Sequence, residues 1–244
     1  MLTEIHGLLA VGALLGGFVR GFAGFGGPMV MIPMLSVFYP PLLTLWMMVL
    51  IDALPTTYLV PTAWRHASAK IFVPLIIGSL LTVALGSYAL VVVDELLMRR
   101  IICVCIILAC IVLLSGWTYR GRVSTAGWLG VGGLSGLVMG AMLIAVVSSV
   151  FLNAASRDAQ ANRANFIVWG LAMTVVMIPL LGRHQLQLAE HLPLMALLGT
   201  TYFIGSILGT LLQSRSQNRY ARPATLGLII VVAGTSLMGS YGVF

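Results

Sequence analysis

The chain has 244 residues, of which 60% are apolar and only 8% charged, and its mean hydropathy is +1.07. A soluble domain carries roughly a quarter charged residues and slightly under half apolar ones, so a globule folded in water is excluded and the bilayer is the solvent. The net charge of +7 falls mainly in short loops, as at Arg120, Arg122, Arg215, Arg219 and Arg222; without interleaved aromatics these residues read as orientation signals and headgroup contacts, not as a nucleic-acid surface.

In chain order, the first apolar stretch is Ile5–Phe38. Met1 to Val19 contain no Lys or Arg, so the basic region of a secretory signal peptide is missing and the stretch is expected to stay in the mature protein. A bilayer core needs about 20 apolar helical residues. Six segments meet that length: Leu42–Pro61, Ile71–Val93, Leu97–Gly116, Phe166–Leu181, Leu192–Leu212 and Ala224–Tyr241. Ile5–Phe38 and Thr125–Asn153 are longer and interrupted by glycine, too long for one straight span and too short for two. Cys103, Cys105 and Cys110 share one apolar span and read as packing residues, with no disulfide framework. His6, His66, His184 and His191 are spread over segment ends and loops without metal-like spacing, so neither a metal nor a cofactor is expected. The five tryptophans, Trp169 among them, read mostly as interfacial belt residues.

The sequence registers on itself at an offset of 119 residues. Pro74-Leu75 falls on Pro193-Leu194, Gly86-Ser87 on Gly205-Ser206, Arg100 on Arg219, Gly17 on Gly136 and Gly21 on Gly140. Prolines and glycines carry most weight, because their positions are mechanically constrained. The expected fold is therefore an all-α polytopic membrane protein of two repeats, residues 1–121 and 122–244. Each repeat is a broken or re-entrant helix followed by three transmembrane helices. If each broken segment crosses once, basic residues divide seven against five. If each returns as a hairpin, Arg65, Lys70, Arg120, Arg122, Arg157, Arg163, Arg215, Arg219 and Arg222 share one side, against Arg99, Arg100 and Arg183. The hairpin arrangement satisfies the positive-inside rule, places both termini outside and makes the repeats inverted.

The chemistry is expected at the breaks. The window Gly16–Pro28 holds six glycines besides Arg20 and a proline, which disfavours continuous helix. Backbone groups freed at membrane depth need protein or a polar cavity, and a half-helix restarting at Pro28 would turn its positive end toward the break. Arg20, Gly21, Gly24, Phe25, Gly26 and Gly27 are the candidate anion ligands, although Gly17-xxx-Gly21 alone also suits tight helix packing. An arginine at mid-bilayer costs about 2.5–3.5 kcal/mol on insertion scales and needs a partner or a wet cavity. Asp52, at the centre of its span, either pairs with Arg20 or titrates as a coupling site. In the second half, Ser135, Gly140, Ser148, Ser149 and Asn153 stand as oxyanion ligands or as small packing residues. Arg163, near the start of its span, reads as an interfacial residue or a ligand.

Gly21-Phe22-Ala23-Gly24-Phe25-Gly26-Gly27-Pro28 followed by Pro33-Met34-Leu35 resembles the first signature of the sulfite exporter (TauE/SafE-like) family of membrane anion permeases. Pro74-Leu75…Gly86-Ser87…Arg100 is similar to that family's third-to-fourth span region, and Gly136…Gly140 with Arg163 to its second signature. The resemblance implies a secondary transporter, outward in direction by the family's habit, for sulfite, sulfonates or related organosulfur anions in the bacterial inner membrane. The partners expected are the anion and the lipid bilayer, with a homodimer as the candidate assembly. A passive anion channel is the competing function. An intramembrane serine protease of rhomboid type is suggested only by Gly133-Leu134-Ser135-Gly136, and His184 and His191, beside a polar loop, are badly placed as its base; no enzymatic activity is expected.

Overall fold

The structure, a computed structural model, describes residues 2–115, 123–155, 159–183 and 188–215, with isolated residues between 227 and 237. Among these residues the regular elements are helices: α1 (Leu2–Ala23), α2 (Gly27–Leu35), α3 (Pro41–Trp64), α4 (Ala69–Val92), α5 (Glu95–Leu114), α6 (Thr125–Met142), α7 (Val146–Ala155), α8 (Ala159–Gly182) and α9 (Leu192–Arg215). The expected span Ala224–Tyr241 falls almost wholly outside the described residues. Local sequence sets the helix starts. Proline occupies the first turn of α3, where its missing N–H is harmless. The Asp94 carboxylate caps α5 by accepting from the Leu96 and Leu97 N–H groups at 3.1 and 3.0 Å, and Ser124 caps α6 through the Gly127 N–H at 3.1 Å.

Helices α1, α3, α4, α6, α8 and α9 are each long and apolar enough to cross a bilayer. Their outer faces carry large apolar side chains, such as Leu81 and Leu85 on α4 and Leu8 and Val11 on α1, all more than half exposed. Faces of that kind are stable only against lipid. The protein is a multi-pass membrane protein.

Both long glycine-interrupted segments break. Each gives one helix long enough to span (α1, α6) and one of about half that length (α2, α7). At the first break the chain reverses: Met34 of α2 seats on Gly12, Met31 on Gly16, and Gly27 on the Arg20 side chain, so α2 runs antiparallel along α1. Shifting α1, α2, α3 and α4 by 119 residues gives 121–142, 146–154, 160–183 and 188–211, close to the bounds of α6, α7, α8 and α9. One left-handed residue at each break obeys the same shift, Gly24 at φ +83° corresponding to Leu143 at φ +50°, whereas Gly26 at φ +91° has no left-handed counterpart at Ala145.

Two tight helix pairs organise the bundle. Gly17 and Gly21 of α1 lie against the carbonyls of Tyr202 and Ser206, and Gly205 and Gly209 of α9 answer against Leu14 and Phe18. Residue numbers rise together, so α1 and α9 are parallel. Helices α4 and α6 form a second parallel pair, with Gly132, Gly136 and Gly140 against the carbonyls of Leu75, Ser79 and Val83. In lipid, where apolar surface gains nothing by leaving its solvent, such backbone approach supplies the packing energy. Helices α3 and α8 are antiparallel: Asn165 near the start of α8 accepts the Ser68 N–H just beyond α3 at 2.7 Å, and Gly182 at its end meets Trp46 near the start of α3.

A methyl group at Gly136 would overlap the Ser79 carbonyl, whereas Gly130 has nothing within 4 Å. Gly136→Ala is expected to destabilise the detergent-solubilised protein by about 1–3 kcal/mol, read as a drop of several degrees in Tm, and Gly130→Ala to leave Tm unchanged or raise it.

Candidate functional site

The last turn of α1 carries Arg20, 3% exposed. The helix ends because the next turn needs left-handed backbone: Gly24 at φ +83° and Gly26 at φ +91°, conformations that glycine adopts without steric cost. The Gly24 N–H still donates to the Arg20 carbonyl at 2.9 Å, but the Gly24 carbonyl points away from any further turn and accepts from Arg20 Nη1. The arginine therefore caps the end of its own helix, where a cation meets the negative pole of the backbone dipole.

The rest of the guanidinium faces α3. Nε donates to Asp52 Oδ1 at 3.0 Å and Nη2 to Thr56 Oγ1 at 2.8 Å. Thr56, one helical turn beyond Asp52, donates its hydroxyl to Asp52 Oδ2 at 3.0 Å. Tyr202 of α9 donates to Asp52 Oδ1 at 2.7 Å. Thus one carboxylate at the middle of a 24-residue helix collects donors from three elements. Hydrogen bonds to charged groups are worth about 1.5–3 kcal/mol each, so this set offsets the insertion penalty of the arginine. Of the two roles open to Asp52 in the sequence, the structure displays the ion pair.

A cavity of about 30 Å³ adjoins this cluster. Phe25, Gly26, Pro28 and Met29 line it from the first break, and Met139, Leu143 and Ala145 from the second. Phe166, Trp169 and Thr174 of α8 close one wall, and Arg20 and Asp52 supply its charge. Phe25 packs on Phe166 with ring centroids 5.7 Å apart, and Phe166 on Trp169 at 5.4 Å. Both short helices begin at this crevice: α2 after the left-handed Gly26 with proline in its first turn, α7 immediately after Ala145. A helix N-terminus carries a positive end equivalent to about half a unit charge, so two of them, with one arginine, face a single small volume.

The chain matches the family described as Sulfite exporter TauE/SafE over residues 8–236. It belongs to that family. TauE/SafE proteins are membrane transporters, and the match takes in both breaks, the crevice and every helix that lines it. Neither a search of curated proteins nor one of solved structures found a match.

Against this TauE/SafE frame, the sequence-derived candidates separate by position. Arg20, Asp52, Phe25 and Gly26 line the crevice. Gly24 forms the turn, and Gly27 opens α2 where a side chain would collide with the Tyr202 hydroxyl. Gly21 and Gly140 serve close helix contact, against the carbonyls of Ser206 and Val83. Ser135 is 1% exposed and is not among the crevice-lining residues. Ser148 and Ser149 turn their hydroxyls back on the Ala145 and Val146 carbonyls, both at 2.9 Å, in the first turn of α7. Asn153 is within α7, its side chain outside the described residues. Arg163 does not extend to the headgroups: its Nη2 donates to the Gly21 carbonyl at 2.6 Å. Trp169, read as a belt residue, is fully buried because its indole N–H finds Ser79 Oγ at 2.9 Å. His191 packs edge-on against Tyr39, and His184 lies outside the described residues.

Thr56, Tyr202, Trp169, Met139 and Leu143 were not foreseen. Thr56 had a signal, being four residues after an intramembrane aspartate and so on the same helix face. Removing Asp52 leaves Arg20 buried beside two hydroxyls, so Asp52→Ala is expected to destabilise the protein by about 3–5 kcal/mol. Replacing both charges, as Arg20→Met with Asp52→Leu, recovers most of the loss in the same thermal unfolding assay, since an apolar pair needs no desolvation.

Proposed function

We propose that this TauE/SafE protein is a secondary transporter that exports a small oxyanion of the sulfite or organosulfonate class, bound in the crevice between the two breaks. The observation that carries the reading is the convergence of two half-helix N-termini and Arg20 on one buried volume. Backbone N–H groups at a helix start and a guanidinium fork both suit anionic oxygens. The crevice is narrow, so binding entails separation of the walls built by α8 and the two breaks.

Asp52 is the proposed coupling group. While ionised it satisfies Arg20 and competes with the substrate for the guanidinium. An anion that takes its place on Arg20 must displace the Asp52 carboxylate from Nε.

We also read the chain as two inverted repeats, residues 1–121 and 122–244. The shared helix bounds, the left-handed pair Gly24 and Leu143, and the antiparallel course of the corresponding helices α3 and α8 support this. With the chain reversal at Gly24 to Gly26, the basic-residue count supports a bacterial inner-membrane orientation with both termini outside.

In proteoliposomes loaded with sulfite or thiosulfate, Arg20→Gln is expected to reduce flux at saturating anion by about tenfold or more. Wild-type rates at all concentrations would sink the proposed site. Asp52→Asn is expected to abolish the pH dependence of half-saturation, and an unchanged pH profile removes Asp52 from coupling. Uphill anion movement under an imposed proton gradient distinguishes a transporter from a passive channel.

A further inference from the structure

A second, larger cavity lies on the other side of the first break, and we infer that it is an anion-loading vestibule whose recognition group is Arg163. This inference rests on the transport reading given above. The cavity has a volume of about 550 Å³ and is formed where the end of α3 meets the start of α8, with Thr210 of α9 on its floor. Its polar lining consists of Thr62, His66, Gln160, Arg163 and Thr210, with Tyr58 at one edge. His66 and Gln160 are exposed and joined by a 3.3 Å contact between the glutamine amide and the ring nitrogen, so the cavity opens at a membrane face. Arg65 and Lys70, both exposed, flank that face; by the positive-inside rule it is cytoplasmic, the side from which an exported anion must load.

Arg163 stands at the inner end. Its guanidinium holds the Gly21 carbonyl at 2.6 Å, an oxygen that also accepts from Thr210 at 3.3 Å. Its aliphatic stem lies across Gly24, where a β-carbon would crowd the Arg163 Cγ at 2.8 Å. The opposite side of that turn belongs to Arg20, which holds the Gly24 carbonyl. Two guanidiniums thus clasp one glycine turn from its two sides, Arg163 from the vestibule and Arg20 from the crevice. Each cation weakens the other's position by repulsion, and an oxyanion relieves this whichever of them it meets first. The glycine turn is the thin wall between the two spaces, and exchange of the Gly21 carbonyl for a substrate oxygen on Arg163 frees that wall to move. The ligand chemistry is a sulfur or phosphorus oxyanion, which a free substrate or a lipid headgroup can supply.

The test separates the vestibule from the inner site. A cysteine at Gln160 is to be reacted with an anionic sulfonate-bearing and a cationic ammonium-bearing thiosulfonate, in vesicles of phosphatidylcholine alone and of phosphatidylcholine with phosphatidylglycerol. The inference expects the anionic reagent to react faster, methanesulfonate (an anion inert to thiosulfonates) to protect, and both effects to vanish with Arg163→Gln and return in part with Arg163→Lys. It also expects Arg163→Gln to raise the half-saturating anion concentration about tenfold from the cytoplasmic side alone, with the maximal rate retained. No charge preference, or preference without protection, overturns the vestibule. Protection by phosphatidylglycerol in place of methanesulfonate assigns the cavity to lipid and overturns loading. Because the labelling does not depend on turnover, it stands apart from the Arg20→Gln flux assay, whose failure would instead remove the inner site.

Discussion

A guanidinium held at the middle of a lipid-embedded bundle is the constraint around which this molecule is arranged. Arg20 is tolerable there only because Asp52, Thr56 and the Gly24 carbonyl accept its hydrogen bonds and Tyr202 completes the carboxylate's shell. Each of those partners imposes something further. The Gly24 carbonyl is available only because α1 stops. Tyr202 reaches Asp52 only because Gly27 has no side chain and because α1 and α9 pack backbone to backbone. The break, the glycine interface and the ion pair are one solution, and a change in any of them reaches the other two.

Glycine is used in two different ways along the same helices. At Gly24 and Gly26 it supplies a backbone geometry; at Gly17, Gly21, Gly132, Gly136 and Gly140 it supplies the absence of volume. The sequence distinguishes these poorly. The density of glycine around Arg20, followed by a proline fit for a first turn, made the first break legible. The second is made by Leu143-Ile144-Ala145, downstream of the glycines that drew attention to it, and a leucine at φ +50° has no compositional signature. Its place was nonetheless implicit in the 119-residue register, which carries Gly24 onto Leu143.

The membrane character, the helix spans and the interrupted segments were readable because hydropathy over 20 residues integrates many weak preferences that lipid enforces alike. The site was readable only where cost betrays function: Arg20 and Asp52 are anomalies in apolar helices. Tyr202 and Trp169 are not anomalies there, since aromatic residues with one polar atom suit both interface and core. Only the location of Ser79 and Asp52 after folding decides which. Arg163 was ambiguous for the same reason, because a long side chain near a helix start can turn outward to headgroups or inward to a carbonyl.

The glycine-mediated pairs join helices from opposite halves of the chain, α1 with α9 and α4 with α6. A mechanical division of the protein therefore does not coincide with its division in sequence. The N-terminal helix is bolted to the last long helix described, and the opening helix of the second half is bolted to the first. Any rocking motion that alternately exposes the crevice must carry these packed pairs as units, so each moving body contains backbone from both halves of the polypeptide, and severing the chain at its midpoint would leave two fragments that each lack one partner of both glycine-packed pairs.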